Sequence, residues 1–435
     1  MKNKFKYLIL LLFIYNCSID TNSGFWTKTE KIKRGENLKI RKVFVDKTIL
    51  DKEFNTNIKI KIKKTNLENS FLNNNSNNNG NNNFTGSFKN ISKYKFKKIS
   101  NFNNLKPELS FTKNNSVIFF DNKGSIIKFD ENSNLEWKTN IYKKKEIKLN
   151  PILTFSNNGE FLIVVDNLGK YYAINITTGS LIWSKKNLAP FNSQIKILDD
   201  KFFVVDYTDT LRCFSIKNGN EIWKSTSETS LIKSLDRVSL VISDNEIVYH
   251  NSLGDLVAVN IKTGNLIWQT PTQKNLLNKN TFTIKNSDIV LDNNSIFFSN
   301  NENNFYSIDV RNGIINWKQN INSNLRPTII EGAIFTITLE GYLVVIDSRN
   351  GNILRITNIF DHIKKSNRKK IVPVGFVVVD NKIYLSLENG KLILIDLVNG
   401  KTIDTIKIAN SKISRPHVLK KYIYLIKDDS IIKIN

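Results

Sequence analysis

Cysteine, proline, methionine and histidine are all scarce: the 435 residues contain two Cys, seven Pro, one Met and three His. Cys17 and Cys213 stand far apart in the chain, so no framework of several disulfides is available. The histidines, His250, His362 and His417, show no His-x-x-x-His or Glu-x-x-His spacing, so no metal site is expected. A G-x-S-x-G elbow, a P-loop and a G-x-G-x-x-G opening a helix are all missing, which removes the common nucleophile and phosphate cradles. Beyond the N-terminus no stretch carries a helical apolar period, and the one long apolar run, Tyr7 to Tyr15, is too short to span a bilayer as a mature helix. Acidic pairs such as Asp199–Asp200 and Asp428–Asp429 fall in hairpin loops, where solvation is the default.

Acidic residues are also outnumbered, 39 against 64 basic ones, for a net charge of +25. Such a balance invites nucleic acid. Here the lysines are spread over strands and turns without a helix-turn-helix pattern, zinc spacing or an RNP-type strand, so no nucleic-acid partner is expected. The composition is heavy in Asn, Ile and Lys, as AT-rich coding would produce at tolerant positions. A membrane-tethered protein could still gain from lysines near anionic head groups.

What the chain does have is one repeated unit. A short alternating run, a turn with glycine and a strand ending in Trp recurs as AINITTGSLIW (Trp183), CFSIKNGNEIW (Trp223), AVNIKTGNLIW (Trp268) and YSIDVRNGIINW (Trp317). The frame continues without Trp at Arg355 and Asp404, and one residue shorter at Trp137. Its glycines, Gly179, Gly219, Gly264, Gly313, Gly351 and Gly400, are spaced by 40, 45, 49, 38 and 49 residues, a period of propeller blades. Four residues before each glycine stands Asn175, Ser215, Asn260, Asp309, Asp347 or Asp396, able to close the turn onto backbone N–H groups. The repeated Trp residues read as packing between blades rather than ligand stacking.

Hairpins begin near Val117, Phe161, Phe202, Ile247, Ile296, Ile334, Ile383 and Tyr422. The expected fold is therefore all-β, an eight-bladed propeller with seven blades as the alternative. The last run stops at Asn435 before an outer strand, so the opposite end of the chain, around Tyr94 to Ile99, is expected to complete that blade. The organisation expected is a signal peptide over 1–16, a tether and lead-in over 17–92 and the propeller over 93–435. Within the lead-in, EFNTNIKIKIKK could add an edge strand. The tract Asn73 to Asn83 has no apolar face and reads as a disordered loop. Cys213, on a strand, reads as buried rather than reactive.

Lys2, Lys4 and Lys6, the apolar run and then Cys17 resemble a bacterial lipoprotein signal. Cys17 is then the lipidated residue, and several acyl chains make a stable anchor. Ser18 after it resembles a signal for transport to the outer membrane. The alternative is a secretory signal cleaved elsewhere, with Cys17 incidental.

The blade frame, carried from about residue 117 to 435, resembles that of quinoprotein-type propellers. Two branches share it: quinone-dependent alcohol and sugar dehydrogenases, and the BamB family of outer-membrane β-barrel assembly lipoproteins. The dehydrogenases clamp their quinone with a disulfide of adjacent cysteines and bind calcium through clustered carboxylates, and this chain has no adjacent cysteines. The lipoprotein-like start, the eight hairpins and the lead-in RGENLKIRKVF followed by EFNTNIKIKI are similar to the BamB family. That resemblance implies a scaffold at the periplasmic face of the outer membrane without catalysis or cofactor, and a monomer within a complex. It further implies docking of the periplasmic domains of the barrel-inserting protein on loops between two mid-propeller blades. The comparable segments are ETSLIKSLDRVS, with Leu231, Ile232 and Lys233, and TIKNSDIV, with Ser287 and Asp288 but Val290 where a second Asp is expected. Leu231 and Ile232 could instead begin an inner strand. A quinone-dependent periplasmic dehydrogenase and a secreted ligand-binding propeller remain the other two functions this sequence allows.

Overall fold

The structure, a computed structural model, describes residues 52–63, 74–82, 84, 86, 88, 91–100, 102–230, 236–273, 285–300, 302–368 and 370–435. They belong to one compact unit, Thr48–Asn435. The expected signal segment, Cys17, and Leu231, Ile232 and Lys233 lie outside the described residues.

The described strands form eight separate sheets, in which strands adjacent in sequence pair antiparallel, with Asn81–Asn82 and Ile91–Lys95 added from the N-terminal part of the chain. Blade 1 runs from Ser110–Phe111 to Leu135–Thr139, blade 2 from Leu153–Asn157 to Leu181–Lys186, blade 3 from Lys196–Leu198 to Glu221–Thr226, and blade 4 from Leu240–Ile242 to Leu266–Thr270. Blade 5 runs from Val290–Asp292 to Ile315–Asn320, blade 6 from Thr328–Ile330 to Ile353–Asn358 and blade 7 from Pro373–Val379 to Thr402–Lys407. In blade 8, His417–Leu419, Tyr422–Lys427 and Ser430–Ile434 are joined by Ile91–Lys95, whose Tyr94 pairs with Ile431. First strands of blades 1 to 5 touch in turn, which puts the first strands at the axis. The molecule is an eight-bladed propeller.

Side chains point alternately to the two faces of each strand, so every sheet is apolar on both faces and needs a neighbour on each side. The core is accordingly a series of layers between blades. One cluster joins blades 2 and 3 through Val165, Phe202 and Phe214; another joins blades 6 and 7 through Phe335, Val345 and Ile383.

The repeated tail locks these layers together. In seven blades the outer strand carries a β-bulge two residues before the Trp position, as between Leu181 and Trp183 or Leu266 and Trp268. An extra residue re-aims the side chains beyond it. Here it leaves Ile182, Ile222 and Ile267 exposed and swings the indole into the next blade. Trp137, Trp183, Trp268 and Trp317 donate from Nε1 to the carbonyls of Ile176, Ile216, Val310 and Ser348 in the following blade, at 2.8–3.1 Å. Each of those acceptors stands three residues before the repeat glycine. A Cβ on Gly179, Gly219, Gly264, Gly313 or Gly351 would meet the Trp of the preceding blade at 2.5–2.7 Å, or in one case Thr270 Oγ1 as well. These glycines also have φ between +66° and +76°. Two independent constraints, handedness and ring contact, thus act on the same residue. Trp223 packs on Gly264, but its Nε1 makes no hydrogen bond among the described residues.

Arg355 stands where blade 6 would carry its Trp. It is fully buried and donates to the Leu397 carbonyl at 2.7 Å, the acceptor three residues before Gly400, and also to Val398 and, at 3.1 Å, Ile58. A guanidinium therefore takes over the indole's hydrogen bond and reaches two further carbonyls. The turn-closing residues behave as their type dictates: Asn175, Asn260, Asp309, Asp347 and Asp396 each accept from the backbone N–H two residues on. Ser215 contributes the backbone bonds of its turn.

Three expectations for the lead-in need correction. The propeller's first strand opens at Ile91 rather than residue 93. The EFNTNIKIKIKK segment adds no strand over its described residues; Phe54 makes a single bridge to Ile356 and Ile60 one bond to the Val398 carbonyl. The asparagine tract is ordered over residues 74–82 and runs along the axial strands. Asn75 and Ser76 accept from the amides of Ile242 and Leu291, Asn78 bonds the Ile329 carbonyl, and Asn81–Asn82 pair in parallel with Val378–Val379. The tract has no apolar face, yet it needs none. The axis of a propeller is walled by backbone amides and carbonyls, and an amide side chain supplies both donors and an acceptor to satisfy them.

Candidate functional site

Antiparallel order fixes which groups share a face of the disc. The starts of the axial strands and the turns between second and third strands lie on one face, whereas the glycine turns and the ends of the axial strands lie on the other. On the first face, residues just ahead of the axial strands converge: Glu108 of blade 1, Arg237 of blade 4, Asp288 of blade 5, Arg326 of blade 6 and Arg415 of blade 8. Glu108 is bridged to Arg237 at 3.1 Å and also to Arg326, which in turn holds Asp288 through Nε at 2.7 Å. Blade 1 thereby reaches across the axis to blades 4 and 6, so the segment carrying Glu108 spans the channel mouth.

Burial would raise both carboxyls, but the guanidiniums more than offset it. Arg326 and Arg237 hold Asp288 at about 2, and Arg237, Arg326 and Arg415 hold Glu108 well below the usual range. These carboxylates are charged throughout the physiological range. Buried ion pairs add little net stability but are costly to break on one side only. Their consequence here is positional: the residues just ahead of the axial strands of blades 4, 5 and 6, Arg237, Asp288 and Arg326, are held at fixed separation.

Ser287 and Asp288 were expected to be surface contacts, and the structure overturns that. Ser287 is 2% exposed and its hydroxyl accepts from the Ser299 amide at 2.9 Å, while Asp288 is committed to Arg326. The segment preceding an axial strand must turn inward to enter it, so its polar side chains face the channel. The axial strand of blade 4 begins at Leu240, well after Leu231 and Ile232. Glu108, Arg237, Arg326 and Arg415 were missed because the sequence repeat was anchored on the outer glycine–Trp tail. Counting back from the short apolar start of each blade would have aligned them.

Beside this bridge opens a cavity of 310 Å³ between blades 1, 2 and 3. Leu105, Pro107, Phe120, Phe155, Phe191 and Tyr207 supply its apolar wall, and Asp236 and Arg237 line it as well. Among the described residues no group of three or more His, Cys, Asp and Glu side chains could hold a metal ion. Cys213 is buried, and burial pushes its thiol up to about 12, which keeps it protonated. No described helix is long and apolar enough to cross a membrane.

The family model described as outer membrane protein assembly factor BamB matches residues 122–357, more than half of the chain. The chain belongs to the BamB family. A curated BamB from Shewanella oneidensis is 25% identical over 258 residues, covering 55% of this chain. The chain spans 59% of that relative's length. The crystal structure of BamB from Moraxella catarrhalis superposes with a TM-score of 0.62 at 12% identity, covering 79% of this chain and all of that one. A europium-containing methanol dehydrogenase superposes at 0.59 with 10% identity, over 82% of this chain and 88% of its own. At such identities the superpositions establish the fold alone, and both branches of the quinoprotein-type propellers share it.

Proposed function

We propose that this chain is a non-catalytic scaffold of outer-membrane β-barrel assembly, lipid-anchored through Cys17 at the periplasmic face. Its partner is the barrel-inserting protein, whose periplasmic domains dock on the axial face. Family membership supports the reading, and the observation that carries it is the Arg237–Glu108–Arg326–Asp288 chain. A scaffold must present its contacts at fixed spacing, and that chain ties together the two inter-blade loops that the sequence singled out. In this arrangement Leu231, Ile232 and Lys233 make the contact, and Ser287 and Asp288 brace the loop beside it. Tethering partner and scaffold to one membrane raises effective concentration, so modest contacts suffice.

The test is gentle detergent extraction of the lipidated, full-length protein from its native membranes, with mass spectrometry of what accompanies it. Recovery of an outer-membrane barrel protein with repeated periplasmic domains is expected, and its loss in a Leu231→Glu/Ile232→Glu double variant locates the surface. Recovery of the wild-type protein alone would refute the reading.

A further inference from the structure

Between the asparagine tract at one end of the channel and the Glu108 bridge at the other lies a chamber of 130 Å³. Four cationic side chains, Lys196, Arg237, Arg326 and Arg415, line it with a single carboxylate, Glu108. Arg237 and Arg326 spend their charge on Glu108 and Asp288. Lys196 and Arg415 form no ion pair of their own among the described residues, and share the field of the same two carboxylates. The Lys196 ammonium is held there by neutral oxygens, Asn77 Oδ1 at 2.7 Å and the Asn74 carbonyl. Arg415 Nε and, beside it, His417 Nε2 are buried without a hydrogen bond to any described residue. Burial and the neighbouring Arg326 push Lys196 down to about 7 and Arg415 to about 9, more than Glu108 and Asp288 restore.

The backbone has been shaped to admit Arg415. A Cβ on Gly375 would lie 2.5 Å from Arg415 Cβ, and the blade 7 strand is irregular there, between Pro373 and Gly375. Four cationic side chains around one polar chamber face only the carboxylates of Glu108 and Asp288, and that excess of positive charge is costly unless something negative joins it.

We propose that this chamber is a binding site for a small oxyanion, a phosphate or a carboxylate, taken up by the Arg415 guanidinium and the Lys196 ammonium with His417 alongside. A guanidinium fork matches two oxygens of either group, and an ammonium adds a point charge. A chamber of 130 Å³ matches a small ion in size. The site shares the Glu108 bridge with the proposed docking face, but ion binding needs no partner protein.

Calorimetric titration of the full-length protein in chloride buffer at constant ionic strength, with inorganic phosphate in one arm and acetate in the other, tests this. Saturable binding in at least one arm is expected, and the responding arm identifies the oxyanion. Arg415→Gln should weaken it about ten- to hundred-fold, the worth of one charge-assisted contact, with Arg415→Lys falling between. Lys196→Gln should also weaken it. No saturable heat with either ion on wild-type protein overturns the proposal, as does equal affinity in Arg415→Gln, which leaves the ion bound elsewhere.

Discussion

Asn77 is the keystone of the axial segment, and its removal gives the sharpest test of why an asparagine tract is ordered here. Its Nδ2 approaches the carbonyls of Leu240 and Ile289 at 2.9 Å and Ser239 Oγ and Gln194 Oε1 at 3.1 Å, and its Oδ1 accepts from Lys196 at 2.7 Å. The residue is 2% exposed. Asn77→Ala would leave a buried ammonium without that acceptor and two carbonyls each short of a donor. An orphaned charged bond costs about 1.5–3 kcal/mol and a neutral one less, so a loss of about 3 kcal/mol is expected. For a unit as long as Thr48–Asn435 the entropy of unfolding translates this into a fall in Tm of about 4 °C. The amides of Ile242 and Leu291, which bond the carbonyls of Asn75 and Ser76, should lose protection against hydrogen exchange. A Tm within about 1 °C of wild type, together with unchanged exchange at those amides, would show that the tract does not depend on its side-chain network.

Three further outcomes are expected. Gly219→Ala must place a Cβ 2.6 Å from the Trp183 ring at φ +66°, whereas Gly332→Ala, at φ +79°, meets nothing closer than 3.7 Å. Denaturant unfolding should show a loss of about 1 kcal/mol for the second and clearly more, about 2–4 kcal/mol, for the first; equal losses would deny the inter-blade role of the ring. Arg355→Met deprives the carbonyls of Leu397, Val398 and Ile58 of their donor, so about 3 kcal/mol should be lost and limited proteolysis should cut residues 52–63 faster. Burial holds His250 at about 3, so the folded protein keeps it neutral while the unfolded chain protonates it below its ordinary value. Its contribution is therefore complete above that value and lost as pH falls, about 2 kcal/mol between pH 7 and 5. His250→Phe, which preserves the edge contact to Phe298, should flatten part of a thermal stability profile over that range, and a profile as steep as wild type would contradict this assignment.

The fold was legible because a propeller is built from a local unit repeated. The turn glycines, the acceptors four residues before them and the alternation of each hairpin are written within about a dozen residues, where backbone handedness and side-chain period operate directly. The eight hairpin starts fall within one residue of the strands observed. Even the missing outer strand of blade 8 could be inferred, because a closed ring cannot leave one blade short.

The axis was not legible, for a physical reason. Residues 74–82 are ordered by wall groups more than a hundred positions away, as in the bonds from Asn77 to Gln194 and Ile289, and no local rule signals a polar wall. Glu108, Asp288, Arg237, Arg326 and Arg415 belong to separate inter-blade segments, and only ring closure brings them to one point. Arg355 shows both sides: its place in the frame was readable, but its role as the stand-in for a Trp required the carbonyls of the next blade. The repeated unit, the direction of each strand and the class of fold depend on neighbours in the chain, and residue order is enough to specify them. Which side chains face the channel, and which charges remain unmatched there, is settled by closure of the ring, since burial and counter-charge come from residues distant in the chain.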